Sequence, residues 1–142
     1  MKIYTPLYFR PEELLPPEVF AELGARGLLL FPADLLRVAD RLREIVGRLQ
    51  CNTWYWHRGA QTQCYRGFRP YDCKIGAKRS MHKMGLALDF LPLDTSVEDC
   101  RKVIQEQHQQ DFAPIRRLEK NVSWLHLDMM PTGDQRLVLF DG

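Results

Sequence analysis

The chain has 142 residues, of which 45% are hydrophobic and 27% charged, and its net charge is +2. It is long enough for one domain with its own core, too short for two ordinary ones, and neither disordered nor fibrous in composition. So small a net charge does not call for a polyanionic partner, and no run approaches the eighteen or so apolar residues of a membrane span, so neither nucleic acid nor membrane is an expected partner.

Charge is unevenly spread. From Arg58 to Lys83 the basic residues Arg58, Arg66, Arg69, Lys74, Lys78, Arg79 and Lys83 face one acid, Asp72, a segment suited to anionic substrates. The opening "MKIYTPLYFRPEELLPPEVF" lacks the apolar core of a signal peptide and is interrupted by Pro6, Arg10 and Pro11. Synthesis and retention in the cytoplasm are expected, so a target outside it requires another exit route. Cys51, Cys64, Cys73 and Cys100 are widely spaced with no CxxC pair, and free thiols are expected.

In chain order, residues 11 to 23 begin with Pro11 and two glutamates, a favourable first helical turn, which Pro16 and Pro17 should split into two short pieces. In "PADLLRVADRLREIVGRLQ" the residues Leu35, Leu36, Ala39, Leu42, Val46 and Leu49 recur at steps of three and four, which predicts an amphipathic helix. "CNTWYWH" is aromatic and predicts a strand. Residues 57 to 81 are polar, basic and glycine-containing and read as a long loop, and loops of that length are usually functional. "GLALDFLP" reads as a buried strand stopped by Pro92. A helix follows from Thr95 or Ser96 to about Gln110, with Thr95 and Glu98 at capping-box spacing. The chain then closes on a hairpin of "VSWLHLDMM", a turn through "PTGDQ", and "RLVLF". Alternation puts Trp124, His126 and Asp128 on one face and Leu125, Leu127 and Met129 on the other. The expected architecture is α+β: one domain, a small antiparallel sheet with helices packed on one side.

His126, Asp128, Asp89 and His82 supply nitrogen and carboxylate donors of the kind zinc accepts, and a catalytic zinc site uses three protein ligands and leaves a position for water. The odd spacing of His82 and Asp89 would send them to opposite faces of a regular strand, but Gly85 offers a turn that folds His82 back. Taken singly, each of these histidines is more often a hydrogen-bonded structural residue than a ligand, and Asp89 could equally be a buried cap.

"SMHKMGLALD" fits SxHxxGxAxD at Ser80, His82, Gly85, Ala87 and Asp89, and "SWLH" carries the WxH element at Trp124 and His126. With the helix "LLRVADRLREIVGRLQ" and "GFRP" upstream, residues 9 to 129 resemble the zinc D-alanyl-D-alanine peptidase family. That family includes carboxypeptidases, L-alanyl-D-glutamate endolysins and the related hedgehog signalling domain. The resemblance implies a hedgehog-like fold, Zn²⁺ on His82, Asp89 and His126, and Arg69 steadying a substrate carbonyl or carboxylate. Many members carry a glutamate base three residues before the second histidine, where this chain has Ser123. Glu119, seven residues before His126, is then the candidate base. Ser80, Trp124 and Asp128 are candidate substrate contacts, with Asp128 alternatively behind the ligands.

The function expected is a monomeric zinc metallopeptidase acting on peptidoglycan stem peptides, of D,D-carboxypeptidase or endopeptidase type. With no export signal, it would be a phage or prophage enzyme released by a lysis partner. The alternative is a zinc-binding module that has lost catalysis, as Ser123 allows.

Overall fold

Residues 3–142 are described by a computed structural model. The N-terminal third is helical: α1 (Pro11–Leu14) and α2 (Pro17–Leu23), separated at the two prolines as expected, a 3-10 segment Gly24–Leu30, and α3 (Ala33–Val46). Helix α3 buries Leu35, Leu36, Val38, Ala39 and Leu42. It ends at Gly47, whose φ of 91° is open to glycine at little cost. Leu49 therefore leaves the helix and opens β1 (Leu49–Gln50). Asp40, on the helix's polar pattern, is buried all the same. Its carboxylate accepts from the Tyr4 hydroxyl at 2.6 Å and from the Leu7 amide at 2.8 Å, fastening the N-terminal segment to the helix.

The strand expected over residues 51 to 57 does not form. Pairing of β1 with β2 (Ala87–Pro92) covers only Leu49↔Pro92 and Gln50↔Leu91. The buried Asn52 side chain then bonds the Leu15 carbonyl and the Arg66 amide, committing the backbone to loop contacts. Trp54–Trp56 make a turn, with the Trp54 indole N–H on the Leu15 carbonyl at 2.9 Å. Polar bonds to residues distant in sequence outcompete the aromatic strand preference here.

Two helices, α4 (Val97–Glu106) and α5 (His108–Asp111), replace the single one expected. Ser96, not Thr95, is the cap, its Oγ accepting from the Asp99 amide at 3.0 Å, while Thr95 donates to the Asp99 carboxylate.

The C-terminal hairpin is corrected as well. The segment "RRLEK", outside every expected element, supplies β3 (Arg117–Lys120), which pairs antiparallel with β4 (Leu125–Asp128). The last strand, β5 (Val138–Asp141), does not fold back on β4 but lies parallel to β3. The sheet order is β1-β2-β4-β3-β5, so it is mixed rather than wholly antiparallel, within an α+β architecture.

Strands β2 and β4 are buried on both faces. Leu88, Phe90, Leu118, Leu125 and Leu127 join Leu35, Leu42, Cys100 and Ile104 in one apolar cluster, which puts helices α3 and α4 against one face of the sheet. Each such fully buried side chain contributes about 1.5–3 kcal/mol. The opposite face carries the alternate residues: Ala87 and Asp89, His126 and Asp128, Arg117 and Glu119. Among the described residues no helix is long and apolar enough to cross a membrane. All four cysteines are free thiols, Cys51 and Cys100 buried.

Candidate metal centre

His82 arrives on a 3-10 turn, Met81–Met84, capped by Ser80, whose Oγ accepts from the His82 amide at 3.2 Å. The turn ends at Gly85 with φ 70°, in the left-handed region. A side chain at Gly85 would also collide with the Leu30 carbonyl oxygen. This glycine lets the chain reverse so that His82 and Asp89, seven residues apart, meet on one side. Gly67 is needed for a different reason: a Cβ there would strike the Leu14 carbonyl. That close approach leaves the Gly67 carbonyl 2.8 Å from His82 Nδ1. Nδ1 thus donates to that carbonyl, and Nε2 faces the cluster, 3.2 Å from Asp89 Oδ2.

Asp89 and His126 are direct cross-strand partners in the β2–β4 ladder. Their registration brings Asp89 Oδ1 to 2.8 Å from His126 Nδ1. The other imidazole nitrogen, Nε2, lies 2.8 Å from Asp128 Oδ2, so it donates to that carboxylate when Nδ1 offers a lone pair. One donor atom from each of His82, Asp89 and His126 lies within 4.8 Å of the others, and all three residues are buried. The donor set therefore fits a small borderline-soft cation: two imidazole lone pairs and a carboxylate oxygen, each histidine anchored through its remote nitrogen by an oxygen acceptor.

The electrostatics agree. Burial pushes the Asp89 carboxyl up, but hydrogen bonds to His126 and His82 outweigh it and hold it well below the usual carboxylate range. Burial likewise disfavours the His126 imidazolium, yet Asp128 and Asp89 together push it up to about 9.

Of the candidate substrate contacts, Ser80 and Trp124 line the concavity of about 550 Å³ over the cluster, together with Arg69 and Glu119. Asp128 does not. Its carboxylate is wholly buried and is engaged by Arg117 at 2.7 Å, by His126, and by the Met130 amide. It is closed to a substrate and holds the His126 ring from behind.

Glu119 reaches the site. Strand β3 runs antiparallel to β4, with Arg117 opposite Asp128 and Leu118 opposite Leu127. The same register sets Glu119 across from His126, with Oε2 3.9 Å from His126 Nδ1. Ser123 is exposed in the β3–β4 connection and borders neither concavity at the cluster. Arg69 lies at the junction of those two concavities. Its Nε donates to the Tyr65 carbonyl at 2.8 Å, and its two terminal nitrogens lie 3.4 Å from Ser80 Oγ and 3.5 Å from Asp89 Oδ2.

Two arginines escaped the sequence reading. Arg117 forks onto Asp128 and stacks over the Phe140 ring, 4.0 Å from its centroid. Arg101, buried on α4, donates to the carbonyls of Glu119, Val122 and Trp124, pinning the end of β3 that carries Glu119 and the connection after it. A signal for Arg101 was present, since it occupies the i+4 position of the Val97–Arg101–Ile104 apolar stripe. For Arg117 there was none, because its strand was not expected.

Comparison of the chain with protein-family models, with curated proteins and with solved structures finds no match.

Proposed function

We propose that the protein is a zinc metallopeptidase that hydrolyses a peptide bond in peptidoglycan stem peptides, with a hedgehog-like, D-Ala-D-Ala-peptidase-like fold. The observation that carries this reading is the position of Glu119, whose carboxylate stands 3.9 Å from the ligating nitrogen of His126 although the residue three before that histidine is a serine.

His82 Nε2, Asp89 and His126 Nδ1 would hold the ion. Bound zinc supplies Lewis acidity toward a carbonyl oxygen and toward water. Glu119 takes a proton from the attacking water as its oxygen bonds the carbonyl carbon, then returns that proton to the amine nitrogen as the C–N bond breaks. Arg69, one edge of whose guanidinium is fixed by the Tyr65 carbonyl, offers its remaining N–H groups to the negative charge growing on the carbonyl oxygen or to a substrate carboxylate. Trp124, 38% exposed at the junction of both concavities, gives an apolar wall against which a peptide lies.

The second reading, a zinc-bearing module without catalysis, draws on Ser123. Incubating the zinc-loaded protein with purified peptidoglycan and defined stem peptides, with products identified by mass, separates the two. The peptidase reading expects cleavage by the native chain. It also expects Glu119→Gln to keep one zinc per chain and lose at least about a hundredfold in turnover. Stoichiometric zinc with no cleavage of any stem peptide would hand the site to the binding module. A protein that binds no zinc would remove both.

A further inference from the structure

The segment from Arg58 to Lys83 holds seven of the chain's 20 Lys and Arg and one of its 18 Asp and Glu, so it carries +6 while the rest of the chain carries −4. Four of the seven cations are also left without an ion pair in space. Elsewhere Arg10, Arg37, Arg41, Arg48 and Arg101 each lie within 3.2 Å of a carboxylate. Among the described residues no carboxylate comes within 4.0 Å of Lys74, Lys78, Arg79 or Lys83.

These four cations line one concavity together with Tyr71, Gly76 and a single acid, Asp72, which comes within 4.0 Å of none of them. Gly76 and Arg79 also line the concavity over the metal-ligand cluster, so the two are continuous. Gly76 forms the saddle between them: its φ is 76°, and a side chain there would strike the guanidinium of Arg69. The Lys83 ammonium donates to the Lys78 carbonyl at 3.2 Å, which holds it across the loop. Gathering four cations against one exposed carboxylate beside a cleft is unfavourable in the free protein, and a bound anion relieves it. Four charges on separate, mostly exposed side chains make a spread field rather than a cradle closing on one ion, which fits several carboxylates along one extended chain.

We propose that the Lys74–Lys83 rim is a subsite for the acidic arm of the substrate, a peptide with at least two carboxylates that runs from Arg69 over Gly76 onto Lys78, Arg79 and Lys83. The word substrate rests on the peptidase reading; the recognition of an acidic peptide does not.

The test is fluorescence anisotropy with two labelled peptides, one of alternating D-alanine and D-glutamate and its twin with D-glutamine, on zinc-loaded Glu119→Gln protein, which binds without cutting. The acidic peptide is expected to bind about tenfold more tightly at low salt and to lose that advantage in about 0.5 M salt. Lys78→Glu combined with Arg79→Glu should abolish the preference, and Lys102→Glu on α4 should leave it intact. Equal binding of the twins, or a preference that survives the double substitution, overturns the proposal. Tighter binding of a single-stranded oligonucleotide of equal charge overturns it in favour of nucleic acid. A native enzyme that cuts stem peptides while showing no preference for the acidic twin would sink the rim alone. A preference without any cleavage would remove the peptidase reading and leave an acidic-peptide site.

Discussion

Both ring nitrogens of His126 are engaged, and the two partners impose different demands. Asp89 shares the ligand cluster with Nδ1, whereas Asp128, fully buried, accepts from Nε2 and is itself gripped by Arg117. A buried carboxylate facing only a histidine would be short of positive charge and free to re-aim; the planar guanidinium satisfies both its oxygens and fixes its direction. On the proposed reading Arg117 is thus a positioning residue, acting on the candidate metal centre through Asp128. Arg117→Met is expected to lower zinc affinity about 10- to 100-fold in competition with a chelator. It should also alter the visible spectrum of the cobalt-substituted protein, and Arg117→Lys should restore part of both. A purely structural arginine would lower thermal stability and leave the cobalt spectrum unchanged.

At the level of elements, two tight places and one pinned turn assemble the site. Gly85 combines a positive φ with contact against the Leu30 carbonyl, so Gly85→Ala pays twice: about 1–2 kcal/mol for the left-handed backbone and more for displacing the carbonyl. Denaturant unfolding should register a loss of about 3 kcal/mol, with zinc affinity reduced because His82 rides on that turn. The β3–β4 connection is held from the other side by Arg101. Removing it in Arg101→Met leaves the carbonyls of Glu119, Val122 and Trp124 short of a donor in a partly buried place, worth about 2–4 kcal/mol. The expected signature is zinc affinity close to native with kcat strongly lowered, since Glu119 shifts while the three ligands stay on β2, β4 and the 3-10 turn. Parallel loss of zinc and turnover would contradict this division.

Across the whole molecule, a proton and a bound metal ion would compete for one centre. In the metal-free protein the His126 imidazolium is raised from 6.5 to about 9, chiefly against burial, by Asp128 and Asp89. Its contribution to stability is therefore fully present below pH 6.5 and is lost as pH rises through 9. Asp89 is depressed from 3.8, so its contribution is present above that value and lost as pH falls. Thermal unfolding of the metal-free chain should accordingly peak in mildly acidic buffer and decline toward pH 9. Zinc requires the deprotonated nitrogen, so its affinity should rise over the same interval, and binding at pH 7 should release protons, visible as a dependence of the calorimetric heat on buffer ionisation. A metal-free protein whose stability rises from pH 6.5 to 9 would contradict the arrangement of His126 between its two carboxylates.

The amino-acid sequence by itself determined the donor types and much of their support. The spacing Ser80, His82, Gly85, Ala87, Asp89 needs only local geometry, a capped turn, a left-handed glycine and a strand of period two, all dictated within ten residues. The amphipathic α3 and the apolar face of β4 were legible for the same reason, because periodicity is a local property. What only the tertiary structure decided is non-local. That "RRLEK" becomes a strand depends on an edge of β4 being available, and this pairing is what places Glu119 opposite His126, closes Asp128 to solvent and gives Arg117 its partner. The last strand chose β3 over β4 because β4 was already paired on both sides, and the turn at Trp54–Trp56 follows from buried side-chain bonds of Asn52 to residues far along the chain. Local preference fixes which residues can offer a nitrogen or an oxygen; which face one another depends on hydrogen-bond pairing between segments that no short window contains.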